Sequence, residues 1–364
     1  MANLHRVYLG MRAITVPVLL GAVLLGGCGN WSNDDILFKL AAPDRNTLRL
    51  RVPGAEVFEE QAANSTAQGL GNPCEGDEAD NITCGIRQIA GFFNAFTFGL
   101  LGVVDNITSN DPTKREQGLR VWGPHFVQDK NFTARFEMRR EEATGGFSYC
   151  LHVAGGNRTG PFADRDVRCG RDASGFIEIF TGDFVPEEGA EPQARKGVGH
   201  MVLNLNTQRR TGTADDPKAQ GKFIFDYDTT GGATVIAITV EDFNDEDTGL
   251  PARATYSYRR TDAGDGEIHL RLLKQLRCGE FFGCNGSDRE TLDLGARWTA
   301  EGASRVDAVG SGGDLDREYR GWECAQSDLR IVARHYDWEP DKDLGSESLC
   351  PFSAVDVSPN DSAP

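Results

Sequence analysis

The sequence is poor in positive charge, and this shortage excludes several classes of protein. Its 364 residues contain 38 Lys and Arg against 55 Asp and Glu, a formal net charge of −17 at pH 7. That balance argues against a nucleic-acid partner, because phosphates require a basic footprint, and against purely electrostatic attachment to anionic lipid. The negative mean hydropathy of the chain also argues against a polytopic membrane protein.

The motifs that usually mark a catalytic or metal site are absent as well. The sequence has no CxxC pair, no HExxH motif and no serine in a GxSxG elbow. Its carboxylates are so numerous that no acid–base pair stands out, because most of them simply solvate the surface. The sequence therefore predicts no catalytic residue, no metal site and no cofactor.

The clearest signal that is present lies in residues 1–28. Arg6 and Arg12 give a positively charged start, an apolar stretch follows at 13–25, and the run ends in Leu25-Gly26-Gly27-Cys28. The apolar stretch is too short for a comfortable transmembrane span, and small residues close it. This run resembles the lipobox of bacterial lipoproteins, although Ala or Ser is commoner at the position of Gly26. The alternative is an ordinary signal peptide followed by a coincidental cysteine.

The resemblance implies cleavage before Cys28 and attachment of acyl chains, palmitate among them, to that cysteine. Residues 1–27 would then be a signal peptide and 28–35 a short lipidated tether, so the partner implied is the membrane itself. Gly29 occupies the position where Asp retains proteobacterial lipoproteins in the inner membrane, which implies the outer membrane. Two or three acyl chains attach a protein stably without a spanning helix.

Eight further cysteines remain once Cys28 is set aside. An even count in an exported chain favours disulfides over free thiols, although sequence alone leaves 105 possible pairings. Zinc is the rival interpretation, but the histidines do not cluster with the thiols. Proximity along the chain suggests four pairs: Cys74–Cys84, Cys150–Cys169, Cys278–Cys284 and Cys324–Cys350.

Residues 36–115 are expected to hold N-terminal strands and one helix. Two short extended pieces are predicted within 36–53. Apolar residues spaced by three and four between Ile86 and Ile107 predict an amphipathic helix, which we interpret as buried. A transmembrane helix is the alternative, since 89–104 carries no charge. The aromatic residues that could line an apolar cavity, or simply fill the core, are Phe92, Phe93, Phe96 and Phe98.

From about residue 116 to 350 the apolar period changes to two. In 132–139, for example, every second residue is apolar, Phe136 among them, and the residues between are polar, such as Arg135 and Glu137. Such segments recur at hairpin distances, which predicts a mainly β fold: an antiparallel meander forming a barrel-like or sandwich sheet with the Phe-rich helix packed on it. Residues 351–364 are expected to be a disordered tail.

Two classes of function follow from these features. The first is a non-enzymatic binding or structural lipoprotein of the outer membrane, periplasmic or surface-exposed, with a lipid, glycan or envelope protein as partner. The second is an envelope hydrolase that acts on glycans with loop carboxylates, with Trp298 or Trp322 as a sugar platform. A cleft with paired carboxylates would favour the second class.

Overall fold

The structure is a computed structural model, and it describes most of the chain beyond the leader. Cys28, Cys278 and Cys284 lie outside the described residues, as does the whole predicted signal peptide. The described residues are 33–56, 58, 74, 81–128, 131–160, 166–189, 195–207, 221–243, 251–275 and 288–357.

In the described part of the chain, helices α1 (Asn33–Ala41) and α2 (Ile82–Thr108) precede fourteen β-strands. The strands follow chain order, each hydrogen-bonded to the next, in one antiparallel meander, which confirms the predicted fold class. Their bounds are β1 Lys114–Glu116, β2 Leu119–Val127, β3 Phe132–Arg140, β4 Phe147–Gly155, β5 Ile177–Pro186, β6 Gly197–Asn204, β7 Lys222–Asp228, β8 Ala233–Glu241, β9 Arg253–Thr261, β10 Gly266–Lys274, β11 Glu290–Trp298, β12 Ser304–Ser311, β13 Tyr319–Ala325 and β14 Ile331–Tyr336.

The start of the described chain differs from the prediction. Residues 36–41 belong to helix α1 and are not extended, because two acidic residues in the first turn and Lys39 in the last complement the helix dipole. Leu37, Leu40 and Ala41 then fall on one helical face. The second predicted piece, 48–52, alternates buried and more exposed residues as expected. It forms no strand.

Helix α2 covers 27 residues and extends beyond the predicted stripe at both ends. Among the described helices it alone is long and apolar enough to cross a membrane, judged by length and composition. Half of its most apolar stretch is buried within the protein, and the helix packs on the sheet. These findings agree with the interpretation of α2 as a core helix.

The described chain falls into two compact units. Unit 1 comprises the described residues within 49–95 and 232–357, and unit 2 those within 33–48 and 96–231. In unit 1 the first half of α2 packs through Phe93, whose ring meets Tyr256 edge-on at 4.6 Å. In unit 2 the second half packs through Phe96, whose ring lies 4.7 Å from that of Phe223.

A buried carboxylate fixes the N-terminus of α2 within unit 1. Glu323 of β13 is fully buried and accepts hydrogen bonds from the backbone N–H groups of Ile82 and Thr83, each at 2.7 Å. The hydroxyls of Thr83 and Tyr336 donate to the same carboxylate. These bonds satisfy N–H groups that a helix leaves unpaired at its start, and the negative charge complements the helix dipole.

Candidate functional site

One concave surface of unit 1 is built on the extended segment 49–54. Asn94 of α2 accepts a hydrogen bond from the Leu50 N–H at 2.7 Å and donates to the Leu50 carbonyl at 2.8 Å. The Arg51 N–H donates to the hydroxyl of Tyr258 at 3.0 Å, and Arg87 donates to the Pro53 carbonyl at 3.0 Å. Side chains thus supply the bonds that a neighbouring strand would otherwise provide, and the segment is held in place.

A glycine lets this segment turn tightly at its end. Gly54 has a φ of 82°, and a Cβ atom there would lie 3.0 Å from Nε of Arg87 and 3.1 Å from Leu329. Any larger residue would be strained in backbone and would also displace the buried arginine. The position of the segment therefore depends on glycine at 54.

The other wall of the surface comes from three turns. The hairpins β9–β10, β11–β12 and β13–β14 each turn at the same end of the meander, because successive strands run in opposite directions. Gly264, Ala300 and Leu329 belong to these three turns and line the concavity. A Cβ at Gly264 would lie 3.1 Å from that of Ala300, so glycine allows the first two turns to approach closely.

Together these elements enclose an open groove of 420 Å³, which we call the arginine groove. Its charged lining residues are Arg49, Arg51, Arg260, Glu56 and Glu301. Within the described part of the chain, no carboxylate forms an ion pair with Arg51 or with Arg260. Two guanidinium groups are thus available to a ligand in a protein whose overall charge is strongly negative.

Tyr258 lies beneath this groove as a neutral hydrogen-bonding group. Burial raises the pKa of its hydroxyl to about 12, while the Arg51 N–H bond and the charge of Arg260 oppose that rise. Tyr258 therefore stays neutral and supports the segment from below, while the groove itself presents guanidinium donors at neutral pH. Guanidinium groups bind carboxylate and phosphate oxygens in pairs of hydrogen bonds, so the arrangement suits an anionic ligand.

No match was found when the chain was compared with models of known protein families, with curated proteins and with solved structures.

The structure places three of the four suggested cysteine pairs at disulfide distance. The S–S separations are 2.03 Å for Cys74–Cys84, 2.08 Å for Cys150–Cys169 and 1.89 Å for Cys324–Cys350. The fourth pair, Cys278 with Cys284, and the lipidation candidate Cys28 fall outside the described residues. Bonded sulfurs cannot act as metal ligands, so the one grouping with ligand-like spacing among described residues, Cys150 with Cys169 and Glu178, is no metal site.

The four phenylalanines suggested as cavity lining do not share one environment. Phe93 is buried against Tyr256, and Phe92 meets Phe93 edge-on at 5.8 Å, both in unit 1. In unit 2, Phe96 contacts Phe223, and Phe98 lies under the guanidinium of Arg45 at 6.0 Å. None of the four lines the arginine groove.

The suggested sugar platforms are covered. Trp298 is only 2% exposed although it contributes to the wall of the groove, so no ring face is free for a sugar. Trp322 is half-buried, with the guanidinium of Arg305 5.4 Å from its ring. The charged residues that line the groove, Arg51 and Arg260 among them, are ones that the sequence did not single out. One signal pointed to them: Arg49 and Arg51 alternate with apolar residues in 48–52, which places both side chains away from the core.

Proposed function

We propose that the protein is a lipid-anchored lipoprotein of the outer membrane that binds an anionic ligand in the arginine groove and does not catalyse a reaction. The observation that carries the binding role is the pair of guanidinium groups, Arg51 and Arg260, that have no ion pair within the described chain. The ligand class that such a pair recognises carries phosphate or carboxylate groups.

The anchor rests on the sequence of the leader. Leu25-Gly26-Gly27-Cys28 resembles a lipobox, and Gly29 favours delivery to the outer membrane. Three disulfides in the described chain support export to an oxidising compartment, because cytosolic thiols are kept reduced. Membrane attachment through acyl chains is compatible with the net charge of −17, which basic residues could not offset over the whole molecule.

Metabolic labelling with palmitate tests the anchor. The wild-type protein is expected to incorporate label and to remain with membranes, whereas Cys28→Ser is expected to lose the label. Absence of label on the wild type, or label that survives Cys28→Ser, contradicts lipid anchoring.

Native mass spectrometry of the protein extracted from its own membrane tests the groove. We expect a bound anionic species that is lost in Arg51→Ala/Arg260→Ala. The matched control is Arg320→Ala, because Arg320 is an exposed arginine of unit 1 that lies outside the groove and pairs with Glu318. Equal retention of the ligand in all three proteins, or no bound species in the wild type, contradicts the binding role.

One observation keeps the hydrolase as a second candidate. Glu56 and Glu301 line the same groove, and glycosidases use two carboxylates on either side of the bond that they cleave. The discriminating assay offers peptidoglycan as substrate and compares the wild type with Glu301→Gln. Product release that depends on Glu301 would favour hydrolysis, and its absence leaves the binding role.

A further inference from the structure

A second concavity lies at one end of unit 2. It measures 170 Å³ and has an apolar floor built by α1 and the ends of β4 and β5, including Leu37, Leu40, Phe147 and Phe184. The first residue of α1 is Asn33, five residues after Cys28. The helix that lines this concavity therefore begins only five residues after the proposed site of lipid attachment.

Three exposed apolar side chains lie at the same end of unit 2 as the concavity. Ile36, Val185 and Val198 are each 44% exposed, and they are three of the five exposed large apolar residues among the described residues. Val185 and Val198 are directly opposite in the β5–β6 pair, so both side chains project from the same face. Ile36 and Val185 are each followed by a residue that lines the concavity. Grouped exposed apolar residues are typical of a contact surface.

Most of the charged residues that line the concavity are basic. Arg140, Arg195 and Lys196 line the concavity together with one carboxylate, Glu187. Arg195 lies 3.6 Å from Asp44. Within the described chain, Arg140 and Lys196 form no ion pair. Basic side chains near an anionic lipid surface are attracted to it.

The tether limits how far this end can lie from a membrane. An extended chain spans at most about 3.6 Å per residue, so the five steps from Cys28 to Asn33 reach no more than about 18 Å. If Cys28 carries acyl chains, helix α1 is kept within that distance of the lipid headgroups.

We infer that this end of unit 2 is a membrane-contact surface. Ile36, Val185 and Val198 enter the boundary between headgroups and acyl chains, while Arg140 and Lys196 contact lipid phosphates. The inference rests on the proposed lipid anchor and adds a defined orientation to it. It also accounts for local basic residues in an acidic protein, since the acyl chains supply attachment and the local charges select which end faces the bilayer.

Fluorescence quenching by brominated lipids tests this surface. The full-length chain, produced in a bacterium that processes lipoproteins, is reconstituted into vesicles of phosphatidylglycerol and bromine-labelled phosphatidylcholine. The fluorescence that Val198→Trp adds to the wild-type signal is expected to fall about two-fold. The fluorescence added by Thr159→Trp is expected to stay unchanged, because Thr159 is exposed beyond the opposite end of β4.

Charge reversal provides the second arm. Arg140→Glu/Lys196→Glu in the Val198→Trp background is expected to reduce the quenching, whereas Arg158→Glu, at the far end of unit 2, is not. Equal quenching at both tryptophan positions, or none at position 198 in protein that floats with the vesicles, overturns the contact surface. Protein that does not float at all overturns the anchor and the surface with it.

Discussion

Each unit has an Arg-x-acid pair on one strand with a disulfide-bonded cysteine directly opposite on the next strand. In unit 2, Arg135 and Glu137 lie on β3, and Cys150 lies opposite Glu137 on the neighbouring strand β4. In unit 1, Arg305 and Asp307 lie on β12, and Cys324 lies opposite Arg305 on the neighbouring strand β13. Both arginines are 2% exposed.

The two faces differ in what covers them. In unit 1 the segment tethered through Cys350 is polar: Glu347 pairs with Arg305 at 2.7 Å, and the Val355 N–H donates to Asp307 at 3.0 Å. The Val355 contact lies in 351–357, at the start of the segment that was expected to be disordered. In unit 2 the segment tethered through Cys169 adds an apolar cluster, in which Val167 and Phe176 pack on Ala154.

This difference changes the environment of the charges. Arg305 has carboxylate partners on its own strand and on the covering segment. Glu137 is fully buried between Arg135 and Arg139, each within 2.7 Å, and the neutral His152 lies opposite Arg135. A buried ion pair depends strongly on each of its members, because a charge left alone in the interior is costly. The apolar cover of unit 2 should therefore make its ion pair the more sensitive of the two.

The largest expected effect comes from removing Glu137. Glu137→Ala removes the fully buried carboxylate that lies within 2.7 Å of both Arg135 and Arg139, and is expected to cost about 3–5 kcal/mol of unfolding free energy. Asp307→Ala is expected to cost about 1–3 kcal/mol, because Arg305 keeps Glu347 and the Phe352 carbonyl. Hydrogen exchange, read by mass spectrometry on peptides from β3–β4 and β12–β13, assigns each loss to its unit.

Glu142→Ala is the matched control for the first substitution, since Glu142 is an exposed glutamate of the same unit, and it should change stability by no more than about 0.5 kcal/mol. A cost for Glu137→Ala equal to or below that for Asp307→Ala would contradict the account of the two covers.

The second largest effect concerns acid, which should lower the stability of unit 2 more than that of unit 1. Burial, assisted by the charge of Arg135, lowers the pKa of His152 from 6.5 to about 4. Between pH 6.5 and 4 the unfolded chain therefore binds a proton that the folded chain does not, and stability falls by about 1.4 kcal/mol per pH unit. We expect His152 to contribute a loss of about 3 kcal/mol on lowering the pH across this range, measured by urea unfolding and localised by hydrogen exchange to β3–β4.

The variant His152→Gln isolates this contribution. Burial raises the pKa of Glu178, whose effect has the opposite sign because the folded chain takes up that proton first. Subtracting the pH dependence of the unfolding free energy of His152→Gln from that of the wild type removes the contribution of Glu178. What remains is the contribution of His152. An unchanged pH slope in the variant would show that His152 is not the group responsible.

The sequence predicted those parts of the fold that depend on neighbouring residues. The stripe from Ile86 to Ile107 has helical spacing, and 132–139 alternates, so α2 and β3 were both expected. The three described disulfides join cysteines 10, 19 and 26 residues apart, so proximity along the chain identified them. Helix α1 was missed because a short apolar run of this length is consistent with strand or helix.

Features that depend on distant segments could not be predicted in this way. The alternating pattern of β3 places Arg135 and Glu137 on the polar face of the strand. The pattern does not indicate that the segment tethered through Cys169 covers that face. The arginine groove has the same origin, because Arg51 and Arg260 line one groove only when Tyr258 binds the segment 49–54. Charged residues that appear solvent-facing in the sequence thus form the buried pairs and the candidate binding site.

The smallest expected effect concerns the polar cover of unit 1. The ring of Phe352 is half-buried and lies 6.0 Å from the guanidinium of Arg297, a contact worth about 0.5–1 kcal/mol at a partly exposed site. Phe352→Ala should lower the free energy of protection against hydrogen exchange by about this amount in β11–β12 peptides. Protection of β3–β4 peptides should be unchanged. Phe352→Leu keeps apolar contact but loses the aromatic face. If Phe352→Leu restores full protection, packing alone holds the cover; if protection stays near the alanine value, the guanidinium–ring contact holds it, as the polar character of this cover requires.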